Sequence, residues 1–168
     1  MLMRIETEHL LITDFTPEMA QAVHLGSLDA DTRRFLPDEV FETEAIAAEV
    51  IADLIGCYDG TEGPFVHPFL AEGEYAGYVQ LVPTEEGWEI GYHTVAAHTG
   101  KGYATEALRA FLPVMLRRFG LRTVWGVCDA ENAASIRVLE KCGFTRRFEG
   151  DGLYQGRKIP IVRMVYEQ

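Results

Sequence analysis

Apolar positions along the chain change period several times, and each change marks an element. From Ala104 to Phe119 they fall at Ala104, Ala107, Leu108, Phe111, Leu112, Met115, Leu116 and Phe119, the spacing of a helix with one buried face. Gly120 closes that helix. Pro113, on its opposite side, predicts a bend or an early end because it lacks the N–H that would bond the Arg109 carbonyl. Asn132 to Cys142 repeats the pattern on a shorter scale, with Asn132 as the cap, Ile136, Leu139 and Cys142 inward, and Gly143 as the stop. Thr16-Pro17 predicts a helix carrying Met19 and Val23. Thr43 starts another, with Ile46, Val50 and Leu54 as its apolar face, help from Ile51 and Ile55, and Gly56 as its end.

Elsewhere the chain reads as strands. Leu2 to Asp14 predicts the first, and Phe65 to Ala71, Tyr75 to Val82 and Trp88 to Val95 predict the next three. Their connections, Glu72-Gly73-Glu74 and Pro83 to Gly87, are so short that an antiparallel meander follows. Arg122 to Cys128 predicts a fifth strand, and Phe144 to Tyr154 with Lys158 to Tyr166 a closing hairpin around Gln155-Gly156. Ser27 to Phe41 has a mixed pattern and reads as a mobile loop on the substrate side. The expectation is one mixed α/β domain over residues 1–168, with about seven strands in a central, mostly antiparallel sheet and about four flanking helices.

Composition narrows the function. A chain of 168 residues that is 48% hydrophobic can bury roughly 70% of its extended surface without a staple. Cys57, Cys128 and Cys142 form an odd set without metal-like spacing, and His9, His24, His67 and His98 make no ligand constellation, so no metal is expected. The amino terminus MLMRIETEHL lacks the apolar run of a signal peptide, and no window suits a bilayer, so a cytoplasmic protein is expected. A net charge of −11 disfavours nucleic acid and favours a cationic partner.

The chemistry concentrates where the fourth strand gives way to the long helix, at His98 to Ala107, HTGKGYATEA. Gly100 and Gly102 permit positive φ and close approach of a ligand, and Tyr103, Ala104 and Thr105 open a helix whose free N–H groups and positive dipole end face the loop. A diphosphate suits that junction, with Lys101 as a nearby cation. A Rossmann nucleotide site is the nearest rival, since strand, GxGxxT, helix, strand and Asp129 imitate its fingerprint. Thr105 in place of the third glycine and the antiparallel strands before the loop count against it.

Together, EIGY (Glu89 to Tyr92), the glycine loop and NAASIRVLEKCGF (Asn132 to Phe144) resemble the GNAT superfamily of acyl-CoA N-acetyltransferases, particularly its ribosomal-protein branch. The resemblance implies a splay between the fourth and fifth strands with the pantetheine arm of acetyl-CoA between them. It implies pyrophosphate contacts from Thr99, Gly100, Lys101, Gly102, Tyr103 and Ala104, although Thr99 replaces the family's usual Gln or Arg. Thr94 would offer backbone groups to the pantetheine and thioester, Asn132 would lie near the pantetheine, and Ser135 would protonate the departing thiolate. His93 stands where this branch often has tryptophan.

Acetyl transfer requires a neutral amine. With reference pKa values near 8 and 10.4, an α-amine loses about 1.4 kcal/mol to protonation at pH 7 and a lysine amine about 4.6. Glu89 is the first candidate base, directly or through water, because strand alternation puts it on one face with Gly91 and His93, which could share the role. A basic protein amino terminus and a small cationic amine both remain as acceptors, and a homodimer stays open. A non-catalytic acyl-CoA sensor of the same fold is the alternative.

Overall fold

The computed structural model describes residues 2–168. Eight strands form one sheet in the order β1-β2-β3-β4-β5-β6-β8-β7. They are β1 (Arg4–Glu6), β2 (Leu10–Thr13), β3 (Phe65–Ala71), β4 (Glu74–Thr84), β5 (Gly87–Thr94), β6 (Thr123–Asp129), β7 (Thr145–Tyr154) and β8 (Arg157–Glu167). Five α-helices accompany them: α1 (Ala20–Gly26), α2 (Ala30–Phe35), α3 (Glu44–Cys57), α4 (Tyr103–Phe119) and α5 (Ala133–Lys141). Every strand pairing is antiparallel except that of β5 with β6. The expected class is therefore found, with one strand and one helix more than predicted. No helix among the described residues is long and apolar enough to cross a membrane.

The extra strand arises because Leu2 to Asp14 is not continuous. The Thr7 amide bonds the Leu10 carbonyl at 2.9 Å, and the chain turns back so that Ile5 pairs with Ile12. Glu106, on the first turn of α4, accepts from the Thr7 hydroxyl at 2.6 Å and the His9 amide at 2.7 Å and so ties this turn to the helix. The extra helix, α2, replaces the predicted mobile loop. Asp29 caps it by accepting from the Thr32 amide at 3.1 Å.

Two apolar layers enclose the sheet. On one face, α4 buries Leu108, Phe111 and Met115 completely against Ile12, Phe69, Val79 and Leu81, and each such side chain contributes about 1.5–3 kcal/mol. The helix runs through the exposed Pro113 to Phe119, so the predicted early end does not occur; Gly120 stops it at φ 63°. On the other face, α1 and α3 cover Val66 and Tyr78. On α3 the predicted Ile51 is buried and Leu54 and Ile55 pack against the same core, whereas Ile46 is exposed and Ala47 takes the buried place at the start of the helix; Gly56 lies within the helix.

Between these layers His67 stacks on Tyr58 with ring centroids 4.5 Å apart. Its Nδ1 donates to the Thr13 carbonyl at 3.1 Å, with the Asp14 carboxylate 3.2 Å away, while Nε2 has no partner among the described residues. Burial pushes this imidazole down to about 4, against the opposing pull of Asp14. Between pH 6.5 and 4 the unfolded chain takes up a proton that the folded chain refuses, so stability falls as pH falls through that window. The expected loss is on the order of 2–3 kcal/mol. His67→Asn, whose amide can still reach Thr13, should flatten this slope in urea melts run at several pH values; an unchanged slope would assign it to other groups.

Candidate active site

The β5–β6 pairing extends over only two positions, Glu89 with Trp125 and Ile90 with Gly126. Beyond Ile90 the two strands part, and a cleft of about 510 Å³ opens between them. Gly91 to Thr94 form one wall, and Val127 with the start of α5 forms the other. The sheet thus leaves a row of backbone groups on β5 with no neighbouring strand on that side. An extended ligand can supply the missing partner.

At the C-terminal end of β5 the chain passes through a short 3-10 turn, Ala96–His98, into the glycine loop. Gly100 and Gly102 both have φ 78°, and a Cβ at either would meet nothing within 4 Å. Gly102 is the residue before α4, and no side chain caps that helix among the described residues. The first-turn amides of Tyr103, Ala104 and Thr105 consequently face open space, where an anion gains both hydrogen bonds and the helix dipole. Thr94, Thr99, Gly100, Gly102, Tyr103, Ala104, Thr105 and Asn132 all line the cleft. Lys101 does not; its ammonium lies 5.8 Å from the centre of the Tyr103 ring.

Asn132 caps α5, accepting from the Ser135 amide at 3.2 Å. This holds Ser135 at the cleft, but its hydroxyl does not simply reach outward. The Tyr92 hydroxyl lies 2.7 Å from the Ser135 carbonyl and 2.8 Å from its Oγ. A carbonyl only accepts, so Tyr92 is the donor in the first contact, while in the second either hydroxyl can donate to the other. Burial pushes the Tyr92 phenol well up. Cys128, buried beneath Ser135 and outside the cleft lining, is pushed to about 11 by burial despite the Ser135 hydroxyl and stays a thiol.

Glu89 lies on the opposite bank. Burial raises its carboxyl, offset by the Arg163 guanidinium, with Glu86 adding to the rise. Gly91, two residues on, has no side chain because the Gln80 amide lies across it; a Cβ there would come within 2.6 Å of Gln80 Nε2. His93 completes this face, and its Nε2 is 2.8 Å from the Thr32 hydroxyl of α2. Glu39, accepting from the Tyr78 hydroxyl at 2.9 Å, is raised chiefly by burial. Asp29, Asp31 and Glu131 add further carboxylates, and no lysine or arginine lines the cleft among the described residues.

The segment 27–41 is held across this cleft rather than left free. Arg34 of α2 pairs with Glu131, before α5, at 2.7 Å. The Asp38 amide bonds the Gln155 side chain at 2.9 Å, and Arg157 reaches the Arg34 carbonyl at 3.0 Å. Of the residues the sequence assigns to the site, Ser135, Glu89, Thr94, Asn132 and the loop residues meet on one cleft, and Lys101 alone lies outside its lining. Sequence reasoning missed Tyr92 as the partner of Ser135 and Thr32 as the partner of His93, because residues 43 and 61 positions apart share no spacing rule.

Residues 9–145 match the family described as acetyltransferase (GNAT) domain. An uncharacterised N-acetyltransferase of Bacillus subtilis (strain 168), YnaD, is 30% identical over 148 residues, which span 86% of this chain and 84% of YnaD. Among solved structures, a GNAT-family acetyltransferase from Bacillus anthracis superposes with a TM-score of 0.83 at 26% identity, covering 98% of each chain. RimL, a ribosomal alpha-N-protein acetyltransferase solved in complex with coenzyme A, gives 0.84 at 19% identity, over 99% of this chain and 98% of its own; that likeness is one of fold.

Proposed function

Because this chain belongs to the acetyltransferase (GNAT) domain family, we propose that it moves the acetyl group of acetyl-CoA to a primary amine by direct attack in a ternary complex. The observation that carries this reading is the fork between β5 and β6 opening beside an uncapped, glycine-led helix. The fork suits a pantetheine arm, which bonds like an added strand, and the loop suits its diphosphate.

Thr99, Gly100, Gly102, Tyr103, Ala104 and Thr105 would hold the diphosphate mainly through main-chain amides, with Lys101 contributing charge from outside the cleft. Thr94 and the unpaired edge of β5 would orient the pantetheine and polarise the thioester carbonyl as negative charge develops on its oxygen. Asn132 acts by fixing Ser135. As the C–S bond breaks, Ser135 gives its proton to the sulfur. Tyr92 supports that step, because its own proton lies within reach of both the Ser135 carbonyl and Oγ. Glu89, raised by burial, takes the first proton from the incoming ammonium, directly or through water.

The acceptor is a cationic amine, a basic protein amino terminus or a small amine, which the carboxylate-lined bank would attract. An α-amine fits with least demand, since it needs only a modest base at pH 7. Thiol release from acetyl-CoA in the presence of an amine panel tests the activity. Ser135→Ala is expected to lower turnover about 100-fold while coenzyme A affinity stays within twofold. Binding of the cofactor without thiol release from any amine would favour an acyl-CoA sensor.

A further inference from the structure

Acetylating an ammonium removes two protons from nitrogen. One leaves before attack, to free the lone pair, and Glu89 is assigned to it. The other leaves the N–H cation that exists once the C–N bond has closed. We propose that His93 accepts this second proton through Nδ1, as a further catalytic residue oriented by a Thr32–Asp29 relay; the assignment rests on the acetyltransferase reading.

The geometry fixes the tautomer. Thr32 Oγ1 lies 2.6 Å from Asp29 Oδ1 and 2.8 Å from His93 Nε2. Hydrogen bonds from the Thr32 side chain and backbone, with the field of His93, outweigh desolvation and keep the Asp29 carboxyl below its ordinary range. Asp29 is therefore an acceptor only, and the single Thr32 proton goes to it. Thr32 Oγ1 must then accept from His93, so Nε2 carries the hydrogen and Nδ1 keeps its lone pair. Burial holds the imidazole below its ordinary value, opposed by Asp29, so at pH 7 that lone pair is free.

His93 and Glu89 flank Gly91 on one strand face, each about 7 Å from it along the strand. Both can serve a carbonyl held at mid-strand, but not by the same contact. The other titratable groups lining the cleft around His93 are Asp31 on α2, Glu39 on the turn that follows α2, Tyr78 on β4, whose ring centroid is 5.5 Å away, and Tyr154 on β7. The closing C–N bond places positive charge on nitrogen. Its proton passes to Nδ1, the electron pair of the breaking C–S bond leaves with sulfur, and sulfur takes the Ser135 proton. The imidazolium, stabilised through Thr32 by Asp29, and the Glu89 carboxyl then return their protons to solvent, from which Ser135 regains one. One of the nitrogen's two protons is balanced by that on the thiol, so one is released overall.

The test is the pH profile of kcat/KM for thiol release, with coenzyme A affinity measured alongside as a check on folding. His93→Gln is expected to lower kcat about 100-fold or more at pH 7 and to remove the His93 step from the acidic limb, leaving that of Glu89, with affinity within twofold of wild type. Asp29→Asn preserves the helix cap but removes the charge; it should lower kcat and move the limb to lower pH. Imidazole added to His93→Ala should restore part of the rate. Long-range proton–nitrogen NMR of wild-type histidines at pH 7 should find His93 protonated at Nε2. Wild-type kcat and an unchanged acidic limb in His93→Gln, or a hydrogen on Nδ1, would overturn the assignment alone. Wild-type protein that releases no thiol with any amine would overturn the acetyltransferase reading, and this role with it.

Discussion

Coenzyme A binding is expected to weaken by at least about 100-fold when Gly100 and Gly102 are both replaced by alanine, while the melting temperature drops by only about 4–8 °C. The two effects separate because they have different origins. Both glycines sit at φ 78°, and a Cβ at either meets no protein atom within 4 Å, so each substitution costs about 1 kcal/mol of backbone strain and no clash. The empty space is what phosphoryl oxygens need to reach the amides at hydrogen-bond distance. A methyl group there keeps the diphosphate away, and each charge-assisted bond lost costs about 1.5–3 kcal/mol. Calorimetric titration with coenzyme A and thermal melting of the same samples measure both quantities. Unchanged affinity in the double variant would move the phosphate site away from this loop.

Gly77→Ala should have the opposite profile, a large loss of stability at a position outside the cleft. A Cβ at Gly77 would stand 2.0 Å from the His93 carbonyl oxygen and 2.5 Å from Phe69 Cζ. The first of these is backbone in the neighbouring strand and cannot swing aside. The β3–β4 register also shifts between Phe69 and Leu70, and Phe69 is the partner of Gly77, so the close approach sits at an irregularity of the sheet. Relieving the clash means pushing β5 away from β4, at a cost of about 3 kcal/mol or more. For a chain of this length the melting temperature should fall by about 6–12 °C. Because His93 moves with β5, turnover at a temperature where the variant is still folded should fall as well. A variant that melts like wild type would show that this contact relaxes without strain.

The glycine loop, α4 and the meander were legible because each obeys a local rule: regular apolar spacing, a glycine at each positive-φ turn, and short connections between strands. The first hairpin was hidden because Leu2 to Asp14 contains no glycine or proline to mark the turn at Thr7. Helix α2 has only six residues, ADTRRF, too few for a period to show, and Asp29 was its one local signal. On α3 the apolar spacing points to Ile51, Leu54 and Ile55, which do face the core, but large side chains are a poor guide to its first turn. There Ala47, small enough for close approach to the other elements, is fully buried while Ile46 is exposed. The loop residues of the candidate site follow from a motif, whereas the Tyr92–Ser135 and Thr32–His93 pairings exist only once the sheet has brought distant segments together.

Among the described residues, the Arg34–Glu131 contact is the only ion pair that joins the two banks of the cleft. Both side chains are more than half exposed, so the pair is worth no more than about 1 kcal/mol in water. A bridge that weak holds the mouth in register without sealing it. Exchange of the proposed thioester for its spent thiol by parting of the banks would also break the Asp38–Gln155 and Arg157–Arg34 hydrogen bonds, about 2–4 kcal/mol in all, an energy that thermal motion supplies many times a second.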